Sequence, residues 1–270
     1  LGDEYEVSVS GVQFSDIFLP KDTIYYNASN VWVKKQNNNQ NFAQSLPLHY
    51  LYLLNSGNPQ SFGESGIGEN GNAINGNLAF STFFNGTNEI TCRRYYTSAI
   101  ANSITNVRNP NFLRLTQNMA FSFELTVRNN DTATNSAGRS FYGMSRINNI
   151  GNVDPSQMQF TGFGLAADSA DTNMQVFFKN TDGPGTGVTK IDTGWAKTNS
   201  DLFRILFYRE ANSSKLFYRI KNITLDAEIV GVRTYAQSTN KLTLYTYKGS
   251  GGNAIQTGYN FVENKLYTSL

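Results

Sequence analysis

Along the second half of the chain, apolar and polar positions alternate with a period of two. In AFSFELTV (120–127), Phe121, Phe123, Leu125 and Val127 alternate with Ser122, Glu124 and Thr126, which predicts a strand buried on one face. MQVFFKN (174–180), DLFRILFYRE (201–210), SKLFYRIKN (214–222) and KLTLYTYKG (241–249) are similar. Each is short, rich in aromatic and branched side chains, and bounded by Asn, Gly, Ser or Asp. EANSS (210–214) has the turn chemistry to join two of them as an antiparallel hairpin. No stretch of twelve residues after position 110 carries a 3.6-residue period. Many short strands separated by polar turns predict an all-β sandwich or barrel.

The first half is less regular. EYEVSVSGVQF (4–14) and IYYNASNVWVKK (24–35) read as strands, QNNNQN (36–41) is a polar break, and LPLHYLYLL (46–54) suits a buried strand or a short helix. The Gly/Asn-rich stretch SGNPQSFGESGIGENGNAINGN (56–77) reads as loop or linker. This places a boundary near 75, with a smaller β-rich lead-in over 1–75 and a β domain over 76–270.

The 270 residues suffice for one large core, and no run approaches the roughly 18 apolar residues needed to span a bilayer, so membrane insertion is not expected. A net charge of +2 without a basic block argues against nucleic acid as a partner. Cys92 is the only cysteine and His49 the only histidine, which removes an intrachain disulfide, a cysteine zinc cluster and most histidine-based catalysis. Asparagine is abundant, at 34 residues, so the five N-x-S/T sequons are what composition alone would give.

Each chemical motif meets a structural alternative. GIGENG (66–71) has the spacing of a dinucleotide loop, but it lacks the preceding hydrophobic strand and following helix that would present a helix N-terminus to a pyrophosphate. His49 and Cys92 sit in apolar or aromatic surroundings and read as core residues, and G-x-S-x-G is absent. Glycoside hydrolysis needs two carboxyls across a groove; the only E-x-E pair, Glu4/Glu6, lies in the lead-in. Asp168, Asp171 and Asp182 could supply oxygens to a cation, but DSADTN lacks the calcium-loop register and Asx capping of turns explains it equally well. The expectation is a protein without cofactor, metal or catalysis.

Period two in KLTLYTYKG puts Leu242, Leu244 and Thr246 on one face and Tyr245 and Tyr247 on the other. If the leucines face the core, two tyrosines stand outward, suited to sugar stacking or a subunit contact. In DLFRILFY, Phe203, Ile205 and Phe207 take one face while Leu202, Leu206 and Tyr208 take the other with Arg204. A strand apolar on both faces is covered on both, which suggests an oligomer. Trp195 follows the TKIDTG element, where a turn would expose its indole.

Read as a string, FTGFGLAADSADTNMQVFF, KNTDGPGTGVTKIDTG, DLFRILFY and KLFYRIKN closely resemble the concanavalin-A-like jelly-roll modules of bacteriophage tail fibres and related virion surface proteins. TNKLTLYTYKGSGGNAIQTGYNFVENKLY (239–267) looks like their closing strands. The resemblance covers about 76–270. It implies a jelly-roll β-sandwich and a tail-fibre or receptor-binding protein on the virion surface, a homotrimer meeting other virion proteins and a host-surface glycan or other receptor. On this reading Tyr245, Tyr247 and Trp195 are the expected binding residues. The alternatives are a structural head-fibre or capsid decoration protein and a polysaccharide-degrading sandwich enzyme, since a fold does not fix a function.

Overall fold

The computed structural model describes residues 4–6, 11–13, 16–18, 23–26, 32–35, 48–53, 76–85, 88–108, 119–130, 135–146, 153–235 and 242–268. In chain order the strands are β1 (Glu4–Glu6), β2 (Gly11–Gln13), β3 (Asp16–Phe18), β4 (Thr23–Tyr26), β5 (Trp32–Lys35), β6 (Leu48–Leu53), β7 (Gly76–Asn85), β8 (Asn88–Thr97), β9 (Ile104–Arg108) and β10 (Phe121–Asn130). They continue as β11 (Arg139–Ser145), β12 (Gly162–Ala167), β13 (Asn173–Lys179), β14 (Val188–Ala196), β15 (Leu202–Arg209), β16 (Lys215–Asn222), β17 (Ala227–Thr234), β18 (Thr243–Gly249) and β19 (Gly258–Thr268). Among the described residues the only helical piece is a 3-10 turn, Pro155–Gln157, and no helix is long and apolar enough to cross a membrane.

Two antiparallel sheets carry the fold. One runs β17-β16-β15-β10-β19-β8-β7 and the other β14-β13-β12-β11-β18-β9. The chain changes sheet at β8–β9, β9–β10, β10–β11, β14–β15, β17–β18 and β18–β19, which makes a jelly-roll sandwich and bears out the expected all-β class. The inner faces meet through the residues that the period-two pattern assigned inward. Phe123, Leu125 and Val127 of β10 and Phe203, Ile205 and Phe207 of β15 share one core with Leu165, Val176 and Phe178 of the facing sheet. Phe163 lies 4.9 Å from Phe207 and Tyr142 lies 5.4 Å from Tyr259, ring centre to ring centre, both across the sandwich. Rings of this size dominate core burial.

The stretch 46–54 resolves as strand. β6 pairs with Glu263–Tyr267 of β19, so a strand from ahead of the expected boundary near 75 belongs to the larger sheet. In the stretches 4–14 and 24–35 expected as strands, the described residues are strand, in small sheets β1-β4-β5 and β2-β3. The linker 56–75 and the GIGENG loop lie outside the described residues. Of His49, Glu4 and Glu6 only the backbone is described.

Because β6 occupies the second half of β19, β8 pairs with β19 only over Gly258–Phe261. The β7–β8 hairpin continues beyond that point as an arm over the outer face of its own sheet. There Phe83, Ile90 and Cys92 pack with Leu202, Ile223 and Val262, and the Arg128 guanidinium lies 4.7 Å from the centre of the Phe83 ring. Burial pushes the Cys92 thiol up to about 11, against the pull of nearby Arg128 and the Cys92–Ser81 hydrogen bond.

Candidate functional site

Tyr245 and Tyr247 take the face that the alternation assigned to them, but they are buried, each 1% exposed. The segment 153–158 folds back over the outer face of the six-stranded sheet. With Val153 and Met158 it covers Phe141, Phe177, Tyr245 and Tyr247, and the Tyr247 hydroxyl donates to the Val153 carbonyl at 3.1 Å. Burial raises the Tyr247 pKa, partly offset by Arg139. The outward-standing tyrosine pair is therefore corrected: a local crossover, which a strand period does not register, closes that face.

Trp195 is corrected as well. It lies in strand β14 rather than a turn, is 7% exposed, and stacks on Phe203 at 5.9 Å inside the main core. A bulge precedes it, where Gly194 adopts φ +72° and the Thr193 hydroxyl donates to the Met174 carbonyl. Four steps of β14, Asp192 to Ala196, span two of β13, and the two extra residues keep the indole on the inner face that Ile191 also takes.

The three aspartates divide. Lys190 Nζ lies 2.8 Å from Asp168 Oδ2 and 2.7 Å from both carboxylate oxygens of Asp171. Burial disfavours the Lys190 ammonium, but its hydrogen bonds to Asp168 and Asp171 outweigh that and raise its pKa. An ammonium thus stands between these two carboxylates, where a metal ion would have to sit. Asp168 Oδ1 accepts the Ser156 N–H and Asp171 Oδ2 the Asp168 N–H, while Asp154 accepts both the N–H and the hydroxyl of Ser169. Asp182 is apart, accepting the Thr161 N–H and facing Arg146 at 3.6 Å. Among the described residues no group of three His, Cys, Asp or Glu could hold a metal ion.

Two buried lysines hold the neighbouring turns. Lys197 Nζ donates to the carbonyls of Asp168 and Ser169, and Lys179 Nζ to those of Gly183 and Thr186. The turn after β13 needs Gly183, Gly185 and Gly187 for its left-handed backbone.

On the second face of β15, Leu202 and Tyr208 are covered within the chain, while Leu206 is half-buried and Arg204 exposed. Leu202 packs under the β7–β8 arm, and Tyr208 stacks on Phe217 at 4.9 Å with 12° between the rings. Leu202 and Tyr208 therefore call for no second subunit.

A row of polar groups with unpaired atoms lies at the base of the arm, on the outer face of the larger sheet. Arg94 of β8 and Arg128 of β10 flank Asn260 of β19 in register. Asn260 is 1% exposed, and its side-chain oxygen has no hydrogen-bond partner among the described residues. Nor has the buried Nε of Arg94. The Arg94 guanidinium lies 5.1 Å from the Tyr96 ring centre and donates through Nη2 to Gln256 Oε1 at 3.3 Å. Beneath the row, on the inner face, Tyr95 stacks on Tyr259 at 5.5 Å, and the Tyr259 and Thr246 hydroxyls lie 2.8 Å apart, so the strands bearing the site are pinned from below. Buried polar groups are ordinarily paired, so an acceptor and a donor left unpaired on one row make this row the candidate site.

None of these residues stood out in the sequence reading. A signal was present: in EITCRRYY, period two puts Arg94 and Tyr96 on one face, and in GYNFVEN Asn260 is a polar residue between Tyr259 and Phe261. What was missing is the pairing of β8 with β19, which joins segments over 160 residues apart.

No family model matches the chain, and no curated protein sequence does either. Solved structures similar to it include peanut lectin with a nine-residue peptide, at 10% identity, covering 76% of this chain and 95% of the lectin with a TM-score of 0.49. Arcelin-5, a lectin-like defense protein from Phaseolus vulgaris, is 7% identical over 74% of this chain and 94% of its own, with a TM-score of 0.49. The carbohydrate recognition domain of Emp47p is 11% identical over 73% and 90%, with a TM-score of 0.45. Likeness at this level assigns no ligand to this chain.

Proposed function

We propose that this protein is a carbohydrate-binding jelly-roll sandwich displayed on a virion surface, as part of a tail fibre or receptor-binding protein that attaches to host glycan. The observation that carries the binding reading is the pair of unpartnered buried polar atoms, Asn260 Oδ1 and Arg94 Nε, on adjacent strands with Gln256 and Tyr96 beside them. Sugars present alternating hydroxyl donors and acceptors, which is what such a pair needs to be satisfied. Binding without chemistry agrees with the carboxylates of this face, since Glu124, Glu228 and Glu263 are each committed to a cation. The virion context rests on the sequence resemblance. A homotrimer belongs to that context and draws no support from Leu202 and Tyr208 of β15, which are covered within the chain.

The test is adsorption of the purified chain to bacterial cells before and after mild periodate oxidation, which destroys vicinal diols of surface sugars. Adsorption lost on oxidation supports the reading. Adsorption that survives it, or none to any of a broad strain panel, contradicts it.

A further inference from the structure

The Arg94–Asn260–Arg128 row carries two guanidinium groups that no carboxylate neutralises among the described residues. Four other cations of the same sheet are matched: Arg204 with Glu124 at 2.9 Å, Lys221 with Asp226 and Lys265 with Glu263 at 2.7 Å each, and Arg219 with Glu228. Arg94 and Arg128 are held by neutral groups instead. Arg94 rests on Tyr96 and Gln256, while Arg128 donates from Nε to the Ser200 carbonyl at 3.0 Å and lies over Phe83. Ring faces and carbonyls orient a guanidinium without cancelling its charge.

On two successive strand spacings, the two arginine positions stand about 10 Å apart with Asn260 between them. The row therefore offers a fixed positive field, an unpaired N–H at Arg94 Nε and an unpaired acceptor at Asn260 Oδ1, both buried until the side chains above them move. A ligand satisfying all three brings a planar anion and, within a few ångströms of it, a hydroxyl donor. We infer that the site takes an acidic saccharide, its carboxylate on Arg94 within reach of Arg128's field and a neighbouring ring hydroxyl donating to Asn260 Oδ1; this rests on the carbohydrate reading above. The guanidinium fork suits a carboxylate through two parallel hydrogen bonds. Entry requires Arg94 to loosen from Gln256, an exposed residue at the long contact of 3.3 Å.

The experiment is calorimetric titration of the chain with two probes, an oligogalacturonate and a sialic-acid-terminated lactose, and with the same saccharides after reduction of their carboxyls to alcohols. At least one acidic probe binds about tenfold or more tighter than its reduced form, as a charge-assisted pair implies. Raising salt to about 0.5 M narrows the gap. Arg94→Gln, and separately Arg128→Gln, each checked for an unchanged melting temperature, shrink the gap between the acidic and reduced forms. Equal affinity for acidic and reduced forms overturns the acidic assignment and leaves the carbohydrate reading standing. A gap that survives both arginine variants overturns the placement. No binding of any form overturns both the inference and the reading beneath it.

Discussion

The Tyr247 hydroxyl donates to the carbonyl of Val153 at 3.1 Å, tying strand β18 to a segment nearly a hundred residues earlier in the chain. That contact turns a tyrosine pair into core. Tyr247→Phe removes one hydrogen bond and should cost about 1 kcal/mol, whereas Tyr247→Ala or Tyr245→Ala opens a cavity and should cost about 3–5 kcal/mol. Urea midpoints check this. A Tyr247→Ala protein as stable as the parent would show that the 153–158 segment does not cover this face.

Lys190 between Asp168 and Asp171 makes a pH-dependent clasp. Its folded pKa is raised, so its stabilising contribution is complete below the unfolded lysine value of about 10.4 and is lost as pH rises through the folded value. Replacing it by Met leaves two carboxylates facing each other and should cost about 2 kcal/mol near neutrality. The difference in urea midpoint between parent and Lys190→Met should stay constant from about pH 7 to 10 and shrink above that. A difference that grows with pH would contradict the clasp.

The strand class and the facing of side chains were legible because alternation is local. Leu242 and Leu244 did turn inward and Tyr245 and Tyr247 did take the other face. Whether a face is open is not local. It depends on which distant segment returns to it, and here 153–158 covers one sheet and the β7–β8 arm part of the other. Trp195 was legible by alternation, since it takes the same inner face as Ile191, but the TKIDTG element before it read as a turn and is strand. Asp168 and Asp171 do accept backbone N–H groups at turns, but nothing in DSADTN marks Lys190, nineteen residues past Asp171, as their partner.

Cys92 reports on the arm. Its thiol is buried and its pKa raised to about 11, so at neutral pH it should react with a disulfide reagent far more slowly than an exposed cysteine. Phe83→Ala unseats the arm from Leu202 and Arg128, and should speed that reaction at least about tenfold while the far-ultraviolet spectrum stays that of the sandwich. Equal rates in both proteins would mean the arm is held elsewhere.

Gly143 and Gly164 lie opposite each other where β11 meets β12, and a Cβ on either would clash with the facing strand's backbone: Gly143 with the Phe163 carbonyl, Gly164 with that of Tyr142. Gly143→Ala should therefore destabilise by about 2 kcal/mol or more, by thermal melting. A neutral effect would show that the two strands can part without loss.

The most direct test of the binding account is a glycan array probed in parallel with the parent chain and with Asn260→Ala, both shown to melt at the same temperature. The account predicts saccharide binding by the parent and a loss of about tenfold or more in the variant, because Asn260 Oδ1 is the unpaired acceptor of the row. Equal binding by the two proteins would contradict it and place the ligand on another surface.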